Sequence, residues 1–412
     1  MAIGKKSLWT FVSIAAKSVA RLAVNKIFAV YLGPTGIALL SHFQNLTGIL
    51  TQLPNDGVNR GLSHLLMYRN DETAVKKLTG SALLFNIVLF AIAGGVLLIF
   101  RDYFFKYFIQ SLNERNFYLI FFGAVFVFII NLFLQAFILS LKSASIYAVS
   151  NIIGVALLLG LVFAGARTRI ADYALLAFCI GQAVNILATL SIIARYRSAG
   201  NFSFQFSFKA FKKLSQFLLM VFSALIFSKL VDYGVRQYAL DQFGFHLTGL
   251  WQSVVKISDS YMSLFISTVG VVFYPQVSAL VFDTDQLRKY IKDVLYIVIP
   301  VTAGGLILIY IFREPVLHIL FSKEFTPAHH LIRFQLVGDF FGVISYLLIY
   351  IVSAQARTVT FILLQLGSAA LYLGLIFLLV DGLGVETFPV AHAFRFVIFF
   401  SVLVILNRRI LF

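Results

Sequence analysis

The sequence predicts an all-α, polytopic membrane protein of twelve transmembrane helices in two bundles of six, on the strength of three observations. Sixty per cent of its 412 residues are hydrophobic and only 12% are charged, more apolar surface than a soluble core can hide. Apolar segments recur at 9–32, 37–59, 78–100, 116–140, 144–164, 171–194, 212–238, 247–275, 290–312, 328–352, 357–379 and 385–407, each near the ~20 helical residues that cross a bilayer. The largest polar break, Arg195 to Lys213, falls between the sixth and seventh segments. It divides the chain into an N-terminal bundle (1–197), a cytoplasmic linker (198–211) and a C-terminal bundle (212–412).

The first segment is the most unusual. Lys17, Arg21 and Asn25 follow one another in steps of four, with Lys26 beside them, so one side of a helix carries them. Charges at that depth are expensive, and this side is expected to face a watery, protein-lined space. Lys5 and Lys6 ahead of an apolar run imitate a signal peptide. The run is too long for one and lacks a small-residue cleavage pattern, so a retained span is predicted. The second segment adds Gln52, Asn55, Asp56, Asn59 and Arg60, with Pro54 and Gly57 able to bend the helix. Asp56 and Arg60 are spaced to pair. They form a fixed buried pair, a gate or coupling element, or a helix end outside the hydrocarbon.

Between the halves, Phe202, Phe204, Phe206 and Phe208 alternate with polar residues. That period is a strand's, but open strand edges do not suit a membrane border. An interfacial linker with its rings among the headgroups is expected, with a short hairpin or ordered loop as the alternative. The seventh segment carries Lys229, Asp232 and Arg236 at helical spacing, and the eighth carries Lys256 and Asp259 near Trp251, Gln252 and Tyr261. Arg333, Gln335 and Asp339 mark the tenth, and His392 and Arg395 the twelfth. Arg333 either snorkels or lines a cavity. Asp339 either couples transport to an ion or sits in a permanent bridge to a lysine. The element boundaries are softest around segments two, seven and eight, where polar residues interrupt the hydrophobicity. A faint repeat links the halves: Lys26, Gly33 and Thr35-Gly36-Ile37 parallel Arg236, Gly244 and Thr248-Gly249-Leu250. Helix pairs one-two and seven-eight are therefore expected at equivalent positions about a pseudo-symmetric cavity.

Lysines and arginines crowd the even-to-odd connections and both termini: Lys5, Lys6, Arg69, Lys76, Lys77, Lys142, Arg195, Arg197, Lys209, Lys212, Lys213, Arg288, Lys289, Lys292, Arg357, Arg408 and Arg409. The opposite connections hold fewer, and the bias places both termini in the cytoplasm. The net charge of +16 is spread over short loops and into the spans, which argues against nucleic acid and for anionic lipid or an anionic substrate. One cysteine excludes a disulfide framework. His329 and His330 are adjacent without a convergent third ligand, so no metal site is expected. There is no phosphate loop, nucleophile elbow or zinc-protease helix, so no catalytic residue is assigned. The chain reads as a transporter and not an enzyme. A cation-coupled drug antiporter and a membrane glycan polymerase or glycosyltransferase are the competing classes.

Gly249-Leu250-Trp251-Gln252-Ser253-Val254 through Ile257-Ser258-Asp259-Ser260-Tyr261, Phe334-Gln335-Leu336-Val337-Gly338-Asp339, and Ser7-Leu8-Trp9-Thr10 followed by Lys17 and Lys26 resemble the Wzx-type lipid-linked oligosaccharide flippases. These belong to the multidrug/oligosaccharidyl-lipid/polysaccharide (MOP) exporter superfamily, and the resemblance runs over nearly the whole chain. It implies a MATE-like pair of six-helix bundles in the bacterial inner membrane. It also implies a cargo of undecaprenyl-pyrophosphate-linked oligosaccharide, of the common-antigen type or for an O-antigen or capsule, with glycosyltransferases and a polysaccharide polymerase as pathway partners. On that view Lys17, Arg21, Lys26, Lys229, Arg236 and Lys256 form a cationic substrate surface, and Asp56, Arg60, Asp232, Asp259 and Asp339 are candidates for gating or coupling. Lys17, Lys26 and Asp259 fit the family pattern. Arg21 stands where the family is expected to have a small residue, so its place on the surface rests on helical spacing. No cofactor is implied beyond coupling to H+, Na+ or the membrane potential.

Overall fold

The structure is a computed structural model that describes residues 2–67, 72–140, 144–195, 205–215, 218, 221–222, 225–355 and 357–411. All regular structure among them is helical. The α-helices are α1 (Ala2–Gln52), α2 (Arg60–Met67), α3 (Glu72–Ile99), α4 (Arg101–Phe104), α5 (Glu114–Ser140), α6 (Ala144–Arg167), α7 (Ala171–Arg195) and α8 (Phe208–Ser215). After these come α9 (Val231–Thr268), α10 (Tyr274–Leu280), α11 (Thr284–Ile311), α12 (Arg313–Leu320), α13 (His329–Ala354), α14 (Thr358–Leu383), α15 (Thr387–Leu406) and α16 (Arg408–Leu411). Among the described residues, eight continuous helical stretches are long and apolar enough to cross a membrane. The protein is a multi-pass membrane protein.

Two of those stretches, Ala15–Ser63 and Thr358–Leu406, run for 49 residues each and are interrupted. Gly33 breaks the first at φ 60°, ψ −157°, and Gly384 breaks the second at φ 55°. Gly244 breaks α9 in the same way as Gly33, at φ 70°, ψ −179°. This corner of backbone space is nearly closed to any residue with a Cβ. The two glycines of the faint sequence repeat thus make the same turn.

The segments with the softest predicted boundaries, two, seven and eight, are those that widen into π-helical turns, at Leu53–Asn59, Leu225–Leu230 and Val269–Phe273. A π turn leaves local backbone bonding irregular, and such turns occur often at functional sites. Pro54 at the first of them lacks the N–H that a regular helix would use.

The chain forms two compact units, Met1–Leu32 with Leu39–Tyr233, and Gly33–Ala38 with Gly234–Phe412. In the first unit, Val58, Leu62, Leu78, Ala82, Phe85, Phe133 and Leu214 form an apolar core. A second group of rings packs edge-on around Phe43, with Phe108 at 5.1 Å and Phe121 at 5.4 Å. The α6–α7 pair is the tightest in this unit, because Gly181 lets the α6 backbone at Leu158 come close enough that a Cβ would sit 3.0 Å from its Cα. In the second unit, α13 runs through a core of Val277, Leu287, Leu347, Ile351 and Leu403. Here Gly338 accepts the ring of His392 directly against the helix backbone, and α13 and α15 pack side by side.

Of the linker, residues 196–204 lie outside the described residues, including Phe202 and Phe204. The described remainder is ordered against the first unit. The Ser207 N–H donates to Ser81 Oγ at 3.0 Å, and Phe211 stacks on Phe85 at 3.9 Å. Ala210 and Leu214 are buried, whereas Phe206 and Phe208 are exposed.

Candidate functional site

A cavity of about 540 Å³ lies within the first unit. From α1, Lys17, Ala20, Arg21 and Val24 line it, the i, i+3, i+4, i+7 stripe of one helical face. Across from them, beyond the Gly33 turn, come Gln44, Thr47, Gly48, Thr51 and Asn55. Phe128, Leu132 and Gln135 enter from α5, Asn151, Gly154, Val155 and Leu158 from α6, and Phe178, Gly181, Gln182 and Asn185 from α7. Among the described residues, the lining holds two cations, six carboxamides and no carboxylate.

Lys17 is held at this wall by α6. Its Nζ donates to the Tyr147 hydroxyl at 3.0 Å and lies 5.0 Å from the centre of that ring, a neutral support, with no carboxylate paired to it among the described residues. Arg21 lies one turn further along the same wall and is exposed. Lys229 runs past Gly48, where a Cβ would meet its Cδ and Cε at 3.6 Å, so a third cation lies beside the cavity wall. Its backbone carbonyl accepts a bond from Asn45 Nδ2 at 3.1 Å. Lys26, further along α1, does not line this cavity, and Asn25 is turned into the protein and buried. Asp56 lies in the π turn that follows α1 and accepts a bond from Asn55 Nδ2 at 3.0 Å. Arg60 begins α2, but its side chain lies outside the described ones. Asp232 is half-buried at the start of α9.

In the second unit, Arg236 Nε donates to Gln252 Oε1 at 3.0 Å across the Gly244 turn. Lys256 is buried at 7% exposure, and Asp259 is exposed. The most organised polar cluster there surrounds Asp339, which is 2% exposed. Its Oδ2 accepts from the hydroxyls of Ser258 and Tyr261 on α9. Its Oδ1 lies 3.3 Å from Gln335 Nε2 on its own helix and 2.9 Å from His392 Nε2 on α15. Three helices thus converge on one carboxylate, and its partner at charge-pairing distance is a histidine. Among the described residues, the groups that bond it do not include the lysine of the expected bridge. Sequence reasoning noted His392 but gave it no role, because residues 53 positions apart share no spacing signal. Arg333, exposed, pairs loosely with Glu386 at 3.5 Å, and Arg395 bonds Ser368 Oγ at 2.7 Å. His329 and His330 stand side by side, and among the described residues no group of His, Cys, Asp or Glu has the arrangement of a metal site.

Of the cavity's carboxamides, Gln44, Gln135, Asn151, Gln182 and Asn185 were the larger omission. Each is ordinary in its own helix, and only Asn55 had stood out, as part of the polar cluster with Gln52, Asp56 and Asn59.

No family profile matches the chain. It is 25% identical to the lipid III flippase of Escherichia coli strain K12, over 97% of both chains. An inward-facing multidrug-resistance MATE family transporter of the MOP superfamily superposes with a TM-score of 0.78 at 13% identity, covering 97% of each chain. The lipid II flippase MurJ in an inward closed conformation superposes with a TM-score of 0.68 at 15% identity, over 98% of this chain and 87% of the other. The fold is that of the MOP exporters.

Proposed function

We propose that this chain, which has the MOP exporter fold and is similar to a lipid III flippase over almost its full length, is a lipid-linked oligosaccharide flippase of the bacterial inner membrane. It moves an undecaprenyl-pyrophosphate-linked oligosaccharide from the cytoplasmic to the periplasmic leaflet by alternating access, for enterobacterial common antigen or a related surface polysaccharide. The observation that carries this reading is the cavity that presents Lys17 and Arg21 with no carboxylate among its described lining residues. A drug antiporter for organic cations calls for the opposite sign at its substrate wall.

The physical sequence follows from the charges. Two cations at one wall repel each other. A pyrophosphate relieves the repulsion, accepting a point-charge bond from the lysine and a forked pair from the arginine. The lipid tail stays in the bilayer. No bond in the cargo is made or broken, so the work is conformational, and the glycine turns and π turns that interrupt the helices are where such movement is least costly. Lys26, Lys229, Arg236 and Lys256 extend the cationic path, and Asp56, Arg60, Asp232 and Asp259 serve the gates. Asp339 is the coupling carboxylate, a role supported by its burial and its contact with His392. Both termini are cytoplasmic on the charge bias, the bundles are 1–197 and 212–412, and glycosyltransferases and a polymerase act before and after it.

Transport in proteoliposomes tests the reading. Headgroup translocation of a defined undecaprenyl-pyrophosphate trisaccharide is expected to fall at least tenfold when Lys17→Gln and Arg21→Gln are combined, at equal protein insertion. Unchanged translocation in the double variant, or transport of a cationic dye in place of the lipid, overturns it.

A further inference from the structure

The cavity's two cations account for only one part of its wall. The remainder is lined by carboxamides: Gln135 on α5, Asn151 on α6, and Gln182 and Asn185 on α7. Gln135 is 4% exposed and, among the described residues, makes no hydrogen bond, and Gln182 makes none either. Asn151 is 1% exposed and gives its amide to the Tyr147 carbonyl at 2.8 Å, while among the described residues its Oδ1 has no partner, nor has that of Asn185. Buried amide oxygens without partners, as on Asn151 and Asn185, are costly. They persist where a ligand or water completes them.

These groups are also held in place. Tyr147 ties Lys17 to Asn151, taking the ammonium on its hydroxyl and the Asn151 amide on its carbonyl. Asn185 packs directly on Gly154, and Gly181 brings α7 against α6, so the amides of those helices sit on a closely packed pair. Thr189, one turn beyond Asn185, bonds Asn131 Oδ1 on α5 at 2.7 Å and Ser150 on α6 at 2.9 Å, fastening the third helix to the same pair.

A carboxamide has two donors and one acceptor. An ion answers only one half of that set, whereas a polyhydroxylated group answers both. We propose that Gln135, Asn151, Gln182 and Asn185 form a glycan subsite that recognises the uncharged hydroxyl and N-acetyl groups of the sugar next to the phosphate held by Lys17 and Arg21. The subsite presupposes the flippase function and specifies what that function selects: a glycosyl pyrophosphate over a bare one. At about 540 Å³ the cavity is of a size for a ligand in the small-molecule range, so it reads the proximal sugars and leaves the rest of the glycan unread.

The test is equilibrium binding of three probes to the purified full-length protein in nanodiscs: undecaprenyl pyrophosphate, its N-acetylglucosaminyl derivative, and a trisaccharide derivative. The wild type is expected to bind both glycosylated probes at least tenfold more tightly than the bare one. Gln182→Leu and Gln135→Leu are each expected to reduce that preference threefold or more, with bare-lipid binding unchanged. Gln182→Asn, which shortens the reach but keeps the amide, should lie between and guards against misfolding as the cause. Equal binding of all three probes by the wild type overturns the subsite and leaves the flippase standing. An unaltered preference in the leucine variants also overturns it. Binding of none of the probes overturns the flippase reading itself.

Discussion

Asp339→Asn should destabilise the second unit by about 1–3 kcal/mol although it is nearly isosteric. The carboxylate divides four donors between two oxygens: Ser258 and Tyr261 on one, Gln335 and His392 on the other. Asparagine keeps one oxygen and turns an NH2 toward the second pair, so in either orientation two groups must turn from donor to acceptor, as a hydroxyl or a histidine tautomer can, or lose their bonds. Side-chain hydrogen bonds within membranes average about 0.6 kcal/mol, while those to charged groups begin near 1.5 kcal/mol. Two bonds at these limits give the quoted range. Removing a buried charge works in the opposite direction and holds the value within it. The assay is unfolding in mixed micelles by SDS titration, comparing Asp339→Asn, Tyr261→Phe and the double variant. The cycle is expected to show coupling of roughly 0.5–1.5 kcal/mol, since the two residues share a bond. An asparagine variant within about 0.3 kcal/mol of wild type, or additive single effects at the precision such cycles allow, would refute the reasoning that this carboxylate organises three helices.

Two further substitutions probe the frame around the sites. Gly249 faces the carbonyl of Pro34 so closely that any Cβ overlaps it, and Gly249→Ala should cost about 1–3 kcal/mol by overpacking, read as a lower midpoint in the same SDS titration. A wild-type midpoint would mean that this approach is not fixed. Phe211→Ala removes the ring stacked on Phe85 at 3.9 Å, a pair worth about 0.5–1.5 kcal/mol beyond its buried area. Limited proteolysis should then cut within 205–215 several times faster, and an unchanged cleavage rate would show that the Ser81–Ser207 bonds alone hold the segment.

What was legible locally was legible because it depends on neighbours along the chain. Hydrophobic runs of bilayer length become helices wherever water is absent, since only internal bonding satisfies their backbone. The four-residue step from Lys17 to Arg21 puts both on one wall whatever that wall faces, and the structure opens a cavity there. Gly33 and Gly244 could be paired by eye because only glycine makes that turn. The polar interruptions in segments two, seven and eight forecast uncertain boundaries, and those are the places where the helices widen.

Convergence between helices was another matter. Nothing in the sequence says that Gln135, Asn151, Gln182 and Asn185 share a cavity. Nor does it say that Asp339 meets Ser258 and Tyr261, some 80 residues away, or that Asn25 turns inward while Lys17 does not. The apolar pattern cannot supply this. In a bilayer, lipid solvates an apolar face as well as another helix does, so hydrophobicity settles that a helix crosses but not which helix it packs against. That choice is made by close fits at particular positions, such as Gly338 against the His392 ring and Gly181 against Leu158, and by polar bonds between helices. The sequence by itself determined the helices, their charges and the face each charge occupies. Only the tertiary structure decided which of those faces meet, because that depends on shape complementarity between segments far apart in the chain.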